Sequence, residues 1–272
     1  MCRTASAGEN SNPAASYCYY RSDMGLFDWV HERTATLGKE LADSGHAAVY
    51  LRQLLRGNRG RTAVFTEADS SAHLPAAGPP VLLIHGYLAT RGSLHLLERR
   101  LRARRHLVLS YRLPRLNVGD IRDSAALIAR KVESLVAQTG VPSVDIVGHS
   151  MGGLVGLYYV KRLGGRRRVR KLIMLGTPAT GTWSALLGLV TAPFGMASLQ
   201  LLPSSPFLRE LNESPLPAGV DVVAVAGERD YFAPLASTVL EGVRHVALPT
   251  SHSGLLVDAA VADTLVDILR AR

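Results

Sequence analysis

Apolar residues along this chain follow two rhythms, and the change between them comes at Pro79. Before it, the stretch from Leu26 to about Leu55 carries Leu37, Leu41, Ala48, Leu51 and Leu55 at mostly helical steps, which predicts an amphipathic helix. Residues 1–23 are polar and read as a disordered leader, while Gly57–Gly78, rich in Gly and Arg, reads as a connector. After Pro79, Val81–Ile84 is an unbroken apolar run, as expected of a strand buried on both faces. Helical periodicity over Ser93–Leu101, Asp123–Gln138 and Ser150–Leu163 alternates with strand patterns at His106–Tyr111, Val144–Val147 and Val169–Leu175. Gly181–Gly219 interrupts the alternation. Strand character returns at Val220–Ala226 and Val243–Leu248, and Gly254–Arg270 reads as one closing amphipathic helix. Strands alternating with helices predict an α/β domain over residues 79–272, its sheet mostly parallel and covered on both faces. Residues 24–78 form an N-terminal helix and connector in this reading, and no internal repeat is visible.

A chain of 272 residues with 47% hydrophobic content is long and apolar enough for one large α/β core, which excludes global disorder. No apolar run reaches the roughly 18 residues of a membrane span. The leader lacks the apolar centre of a secretory signal, so the expectation is a cytoplasmic or peripheral membrane protein, with secretion left open. The two cysteines, Cys2 and Cys18, both lie in that leader. A core disulfide, a cysteine zinc cluster and cysteine catalysis are therefore not expected. The net charge of +9 is concentrated in two arginine runs, Arg99–Arg105 and Arg166–Lys171. Neither is interleaved with the aromatics that stack on bases, which argues against nucleic acid. Solvated helix ends are the plain reading of both runs, and an anionic membrane surface is the sharper one.

The candidate chemistry begins at Gly148-His149-Ser150-Met151-Gly152, directly after the apolar run Val144–Val147. A serine on a tight strand-to-helix turn is held in a strained backbone conformation with its hydroxyl exposed. The flanking glycines remove side chains that would collide with the neighbouring strand and helix. A serine hydroxyl is a weak nucleophile at neutral pH and needs a base, which in turn needs a partner to fix its tautomer. In an open parallel sheet these groups gather at the carboxyl ends of strands, in the order serine, acid, histidine. Asp230 follows Val220–Ala226 through Gly227-Glu228-Arg229, and His252 follows Val243–Leu248 through Pro249-Thr250-Ser251. Ser150, His252 and Asp230 are thus the expected nucleophile, base and acid. Glu228 is the rival acid. Asp221 stands at the wrong end of its strand, His245 lies within one, and His149 reads as a turn residue. The oxyanion donors expected are the N–H groups of Met151 and of Tyr87, which Gly86 in Ile84-His85-Gly86-Tyr87 could aim at the same point. Losing one such donor costs on the order of 3 kcal/mol in barrier. His85 is expected to brace that loop.

His85-Gly86, the Gly148–Gly153 stretch, Gly176-Thr177-Pro178 and His252 together resemble the α/β-hydrolase superfamily, and within it the bacterial triacylglycerol lipase and esterase group. The resemblance covers about residues 79–270. It implies an α/β-hydrolase fold, ester hydrolysis through an acyl-enzyme, no organic cofactor, and the same five residues in the same roles. Some secreted relatives carry calcium and a disulfide. This chain has no core cysteine and no compact carboxylate cluster that suggests a metal, so none is expected.

The interruption at Gly181–Gly219 is almost uncharged before Arg209 and is punctuated by Gly and Pro. It reads as a lid or acyl-chain wall rather than an ordinary packed excursion. Trp183, Leu187, Phe194 and Leu202 are its candidate substrate contacts. The expectation is therefore a hydrolase of small-molecule esters or lipids with medium to long acyl chains, touching a lipid interface. Its alternatives are an acyltransferase, thioesterase or amidase with the same triad, or a non-catalytic scaffold that binds lipid or a partner.

Overall fold

The computed structural model describes residues 45–57, 78–113, 117–187 and 195–271. The leader, the connector, most of the Leu26–Leu55 helix and Phe194 lie outside the described residues. Six strands form one all-parallel sheet: β1 (Val81–Ile84), β2 (Val108–Ser110), β3 (Val144–His149), β4 (Val169–Leu175), β5 (Asp221–Gly227) and β6 (Arg244–Leu248), in the order β2-β1-β3-β4-β5-β6. This is the parallel α/β sheet expected from the alternation, and the α/β-hydrolase fold that the resemblance implies.

The helices are α1 (Gly45–Leu55), α2 (His95–Ala103), α3 (Ile121–Thr139), α4 (Met151–Arg162), α5 (Met196–Gln200), α6 (Pro206–Glu213), α7 (Leu235–Thr238), α8 (Gly254–Val257) and α9 (Ala259–Arg270). Strand side chains alternate between two cores. Leu82, Ile84, Ile146 and Leu172 pack under α3 and α4, and Val81, Leu83, Ile173 and Val225 pack under α2, α8 and α9. The central strands are buried throughout, so each aliphatic side chain contributes about 1.5–3 kcal/mol on either face. On α3, Ile121, Ala125, Ile128, Val132 and Leu135 form the buried stripe. Asp120 caps its start by accepting from the Arg122 N–H at 2.8 Å, and Gly140 at φ 69° ends it.

The closing helix differs from the sequence reading. It is two helices, α8 and α9, broken at Asp258. The Asp258 carboxylate accepts from the Ala260 N–H at 2.9 Å and starts a new helix where the apolar rhythm alone runs on. The β3–β4 register slips between Val144 and Asp145, which skips Arg170. Arg170 reaches across to Asp145 with two bonds, at 3.0 and 2.5 Å. Burial pushes the Asp145 carboxyl up, and Arg170 opposes that shift.

The end of the predicted N-terminal helix is present as α1, and it packs on the domain. The Gly92 N–H donates to the Gly57 carbonyl at 2.9 Å, and the Thr90 hydroxyl donates to the Leu54 carbonyl at 3.1 Å. Gln53 is its buried residue, while Leu51 and Leu55 are exposed. Among the described residues, no helix is long and apolar enough to cross a membrane. A Cβ at Gly92 would sit 2.3 Å from the Gln53 carbonyl oxygen and 2.9 Å from that of Gly57. Gly92→Ala is expected to lower unfolding free energy by about 1–3 kcal/mol and expose α1 to proteolysis. Gly119→Ala, whose Cβ would meet nothing within 4 Å, should change it by less than about 1 kcal/mol. Urea unfolding and limited proteolysis of the two variants check this.

Candidate active site

Parallel pairing aligns the carboxyl ends of β3, β4, β5 and β6 along one edge of the sheet. His149 stands opposite Leu175, and Gly227 opposite Leu248. The chain just beyond each strand is held by the next. The Ser150 N–H donates to the Leu175 carbonyl at 2.8 Å, Gly176 to Val225 at 2.8 Å, and Glu228 to Leu248 at 2.8 Å. These bonds extend the ladder one residue past the strands, so the loops leave from fixed points.

Ser150 stands between β3 and α4 at φ 54°, a value that L-residues other than Asn and Asp adopt rarely and at a cost. Three glycines make this turn sterically feasible. A Cβ on Gly148 would lie 2.4 Å from the Gly152 carbonyl oxygen, one on Gly152 would lie 2.4 Å from that of Ile84, and one on Gly153 would lie 2.0 Å from Thr177 Oγ1. The helix therefore starts in contact with β1 and with the Gly176-Thr177-Pro178 turn. Met151 is the first helical residue and is fully buried; its N–H is among those that lack an intrahelical acceptor. Gly86 faces the serine from β1, where a Cβ would come within 2.9 Å of Ser150 Cβ.

Asp230 and His252 meet beyond β5 and β6. His252 Nδ1 and Asp230 Oδ2 are 2.6 Å apart, and the Asp230 side chain has no exposure. The second carboxylate oxygen accepts the N–H groups of Phe232 at 2.9 Å and Ala233 at 2.8 Å. These bonds aim the carboxylate at the ring. Gly176, at φ 58°, lies against the pair. A Cβ there would be 3.1 Å from Asp230 Oδ2 and 3.4 Å from His252 Nδ1. The rival acid Glu228 is exposed, Asp221 pairs with Lys171 at the far end of its strand, and His245 bonds Thr238 at 2.8 Å.

His149 does more than turn the chain. Its ring lies 4.6 Å from that of His252, and its Nε2 donates to the His252 carbonyl at 3.2 Å. Burial, and then the proximity of His252, hold it well below the ordinary histidine pKa, so it is neutral. His85 braces the loop that carries Gly86. Its Nδ1 lies 3.2 Å from the Gly86 carbonyl, and the Leu113 N–H points at its Nε2 at 3.5 Å, which together define a neutral tautomer. Burial lowers its pKa to about 4.

Two residues of this region have no readable sequence signal. Asn117, buried and at φ 57°, donates to the His85 carbonyl at 3.2 Å and accepts from the Ser124 hydroxyl at 2.8 Å. Ser198 of α5 donates to the Tyr87 hydroxyl at 2.8 Å and ties the interrupting segment to the Tyr87 loop. Within that segment, Trp183 is exposed, Leu187 is half-buried, and Leu202 packs against the core. The Ser184 hydroxyl donates to the Tyr231 carbonyl at 3.1 Å, next to the acid. Its α6 half belongs to the core: Phe207, Leu208 and Leu211 are buried, and Lys161 caps the helix end on the Leu211 and Ser214 carbonyls. Met196 and Leu199 of α5 are exposed. Among the described residues, no group of three or more His, Cys, Asp or Glu is placed to hold a metal ion.

The neutral histidines carry a pH signature. His85 has a folded pKa of about 4 against an ordinary 6.5. Its stabilising contribution is complete above pH 6.5 and is lost as the pH falls toward 4, at most about 3 kcal/mol. His149 acts in the same direction. Urea unfolding between about pH 7 and pH 4 is expected to show stability falling with acid. His85→Gln should flatten that slope whatever it does to stability at neutral pH.

The model of the alpha/beta hydrolase family matches residues 81–270. Among solved structures, Bacillus licheniformis lipase BlEst2 in propeptide form superposes with a TM-score of 0.63 at 15% identity, over 74% of this chain and 52% of that one. Its mature form gives 0.62 at 16%, over 73% and 94%. Aspergillus fumigatus lipase B gives 0.62 at 20%, over 79% of this chain and 59% of that one. The chain thus spans little more than half of the propeptide form and of the fungal lipase, and at these identities the likeness concerns the fold. The family match covers most of the chain, from the first strand of the sheet through the last helix, and the chain belongs to the alpha/beta hydrolase family.

Proposed function

We propose that this chain hydrolyses carboxylic esters through a serine nucleophile, Ser150, with His252 as base and Asp230 as its partner. The observation that carries the reading is the Asp230–His252 pair at 2.6 Å, its carboxylate buried, together with a serine held at φ 54° after β3. A carboxylate fixed by two backbone N–H groups keeps a proton on His252 Nδ1, which leaves Nε2 to accept one from the serine. Ser150 Oγ attacks the ester carbonyl as its proton passes to His252 Nε2. The oxyanion is held by the N–H groups of Met151 and Tyr87. His252 then protonates the departing alcohol, and afterwards takes a proton from water as that water attacks the acyl-serine. The neutral state of His149 fits this scheme, because a second imidazolium 4.6 Å from His252 would oppose the charge that develops there.

The substrate class proposed is an ester with a medium or long acyl chain. Exposed Trp183, Met196 and Leu199 beside the anchored α6 offer apolar surface, and the named lipases with this fold are consistent with it. Contact with a lipid interface belongs to the same proposal.

Ser150→Ala is expected to lower turnover of p-nitrophenyl esters by at least about 1,000-fold with thermal stability retained. Wild-type inactivity at every acyl length would overturn the hydrolase reading in favour of a scaffold. Asp230→Asn should cost on the order of 10,000-fold in kcat, since the amide no longer selects the working tautomer. Gly86→Ala forces a Cβ to within 2.9 Å of Ser150 Cβ and should reduce kcat by about tenfold or more with little change in KM. A chain-length profile with and without emulsified substrate measures the acyl preference.

A further inference from the structure

Members of the two arginine runs, about 65 residues apart in sequence, meet at the amino edge of the sheet, opposite Ser150. There Arg104 and Arg105 from the end of α2, Arg170 from the start of β4, and Arg270 from the end of α9 line one cavity of about 500 Å³, with Pro79 and Leu269. Two of the four charges are compensated locally. Arg170 is bound by Asp145 and also donates to the Leu269 carbonyl at 2.7 Å, and Arg104 pairs with Asp263. Arg105 and Arg270 have no carboxylate partner among the described residues. Both are exposed, and Arg270 donates to the Arg104 carbonyl at 3.5 Å. Arg105 is held at φ 68°, a left-handed conformation that a non-glycine residue rarely adopts, directly after the helix it ends.

The neighbouring side chain points the same way. His106, next to Arg105, is only 4% exposed, and its Nε2 has no hydrogen-bond partner among the described residues. Burial, then Arg270 and Arg170, lower its pKa. Guanidinium groups present forked N–H donors that match a phosphate, and several converging on one concavity cost repulsion that a dianion removes.

We propose that this cavity binds a phosphate group, held chiefly by Arg105 and Arg270. The group could be carried by a soluble phosphomonoester or by an anionic lipid headgroup, and the chemistry of recognition is shared. The site is independent of ester hydrolysis, so Ser150→Ala protein should bind as wild type does.

The test uses the full chain. Titration calorimetry with phenyl phosphate forms one arm, and co-sedimentation with phosphatidylcholine vesicles with and without phosphatidic acid forms the other. Saturable binding in either arm, weakened at least about tenfold in an Arg105→Gln/Arg270→Gln double variant with an unchanged thermal midpoint, supports the site. Binding to phenyl phosphate marks a soluble ligand, and binding only to phosphatidic acid vesicles marks a headgroup. Absence of saturable binding in both arms, or binding undiminished in the folded double variant, overturns it. Arg105→Lys/Arg270→Lys retains charge but not the fork, and should bind more weakly than wild type.

Discussion

Helix α4 begins in van der Waals contact with the backbone of two strands, and the remainder of the site is arranged around that approach. Gly148, Gly152 and Gly153 leave no room for even a methyl group between the helix and β1, β3 and the turn after β4. This closeness holds Ser150 at φ 54°, and the Gly176 turn beside it lies against Asp230 and His252. A single added Cβ would separate the helix from the sheet. The strained serine persists because the ladder around it, from Ser150 to Leu175 and from Gly176 to Val225, determines both ends of the turn.

Polarity in the region is organised by neutral rings rather than by charges. His85 and His149 are buried, uncharged and hydrogen-bonded to carbonyls of the loops that carry Gly86 and His252. They position backbone without placing positive charge near the Asp230–His252 pair. At the opposite edge of the sheet the arrangement reverses, with arginines gathered and two of them uncompensated. The same parallel sheet thus carries neutral buried histidines at its carboxyl ends and a cavity lined by arginines at its amino ends.

Much of the fold was legible because the sheet is parallel and buried on both faces. Val81–Ile84 is apolar without interruption and Val169–Leu175 ends in the apolar run Leu172–Leu175, so both strands could be read directly. Asp230 and His252 were legible because they lie a few residues past such runs. The break at Asp258 was not, because Leu255, Leu256, Val261 and Leu265 keep helical spacing across it, and a local carboxylate-to-backbone bond decides the matter. Asn117 and Ser198 were illegible for a different reason. Each acts through side-chain hydrogen bonding to residues more than 30 positions away, and neither stands in a periodic pattern.

The sequence by itself determined the α/β alternation, the order of serine, acid and histidine, and the glycines of the turn, since each is written in local spacing. Only the tertiary structure decided which described residues of the segment between Gly181 and Gly219 are buried. Phe207, Leu208 and Leu211 of α6 sink into the core, while Trp183, Met196 and Leu199 stay exposed, although all are equally apolar as letters. It also decided that Arg104, Arg105, Arg170 and Arg270, distant in sequence, line one cavity. Burial and charge convergence are sums over neighbours in space, and hydropathy along a chain carries no record of them.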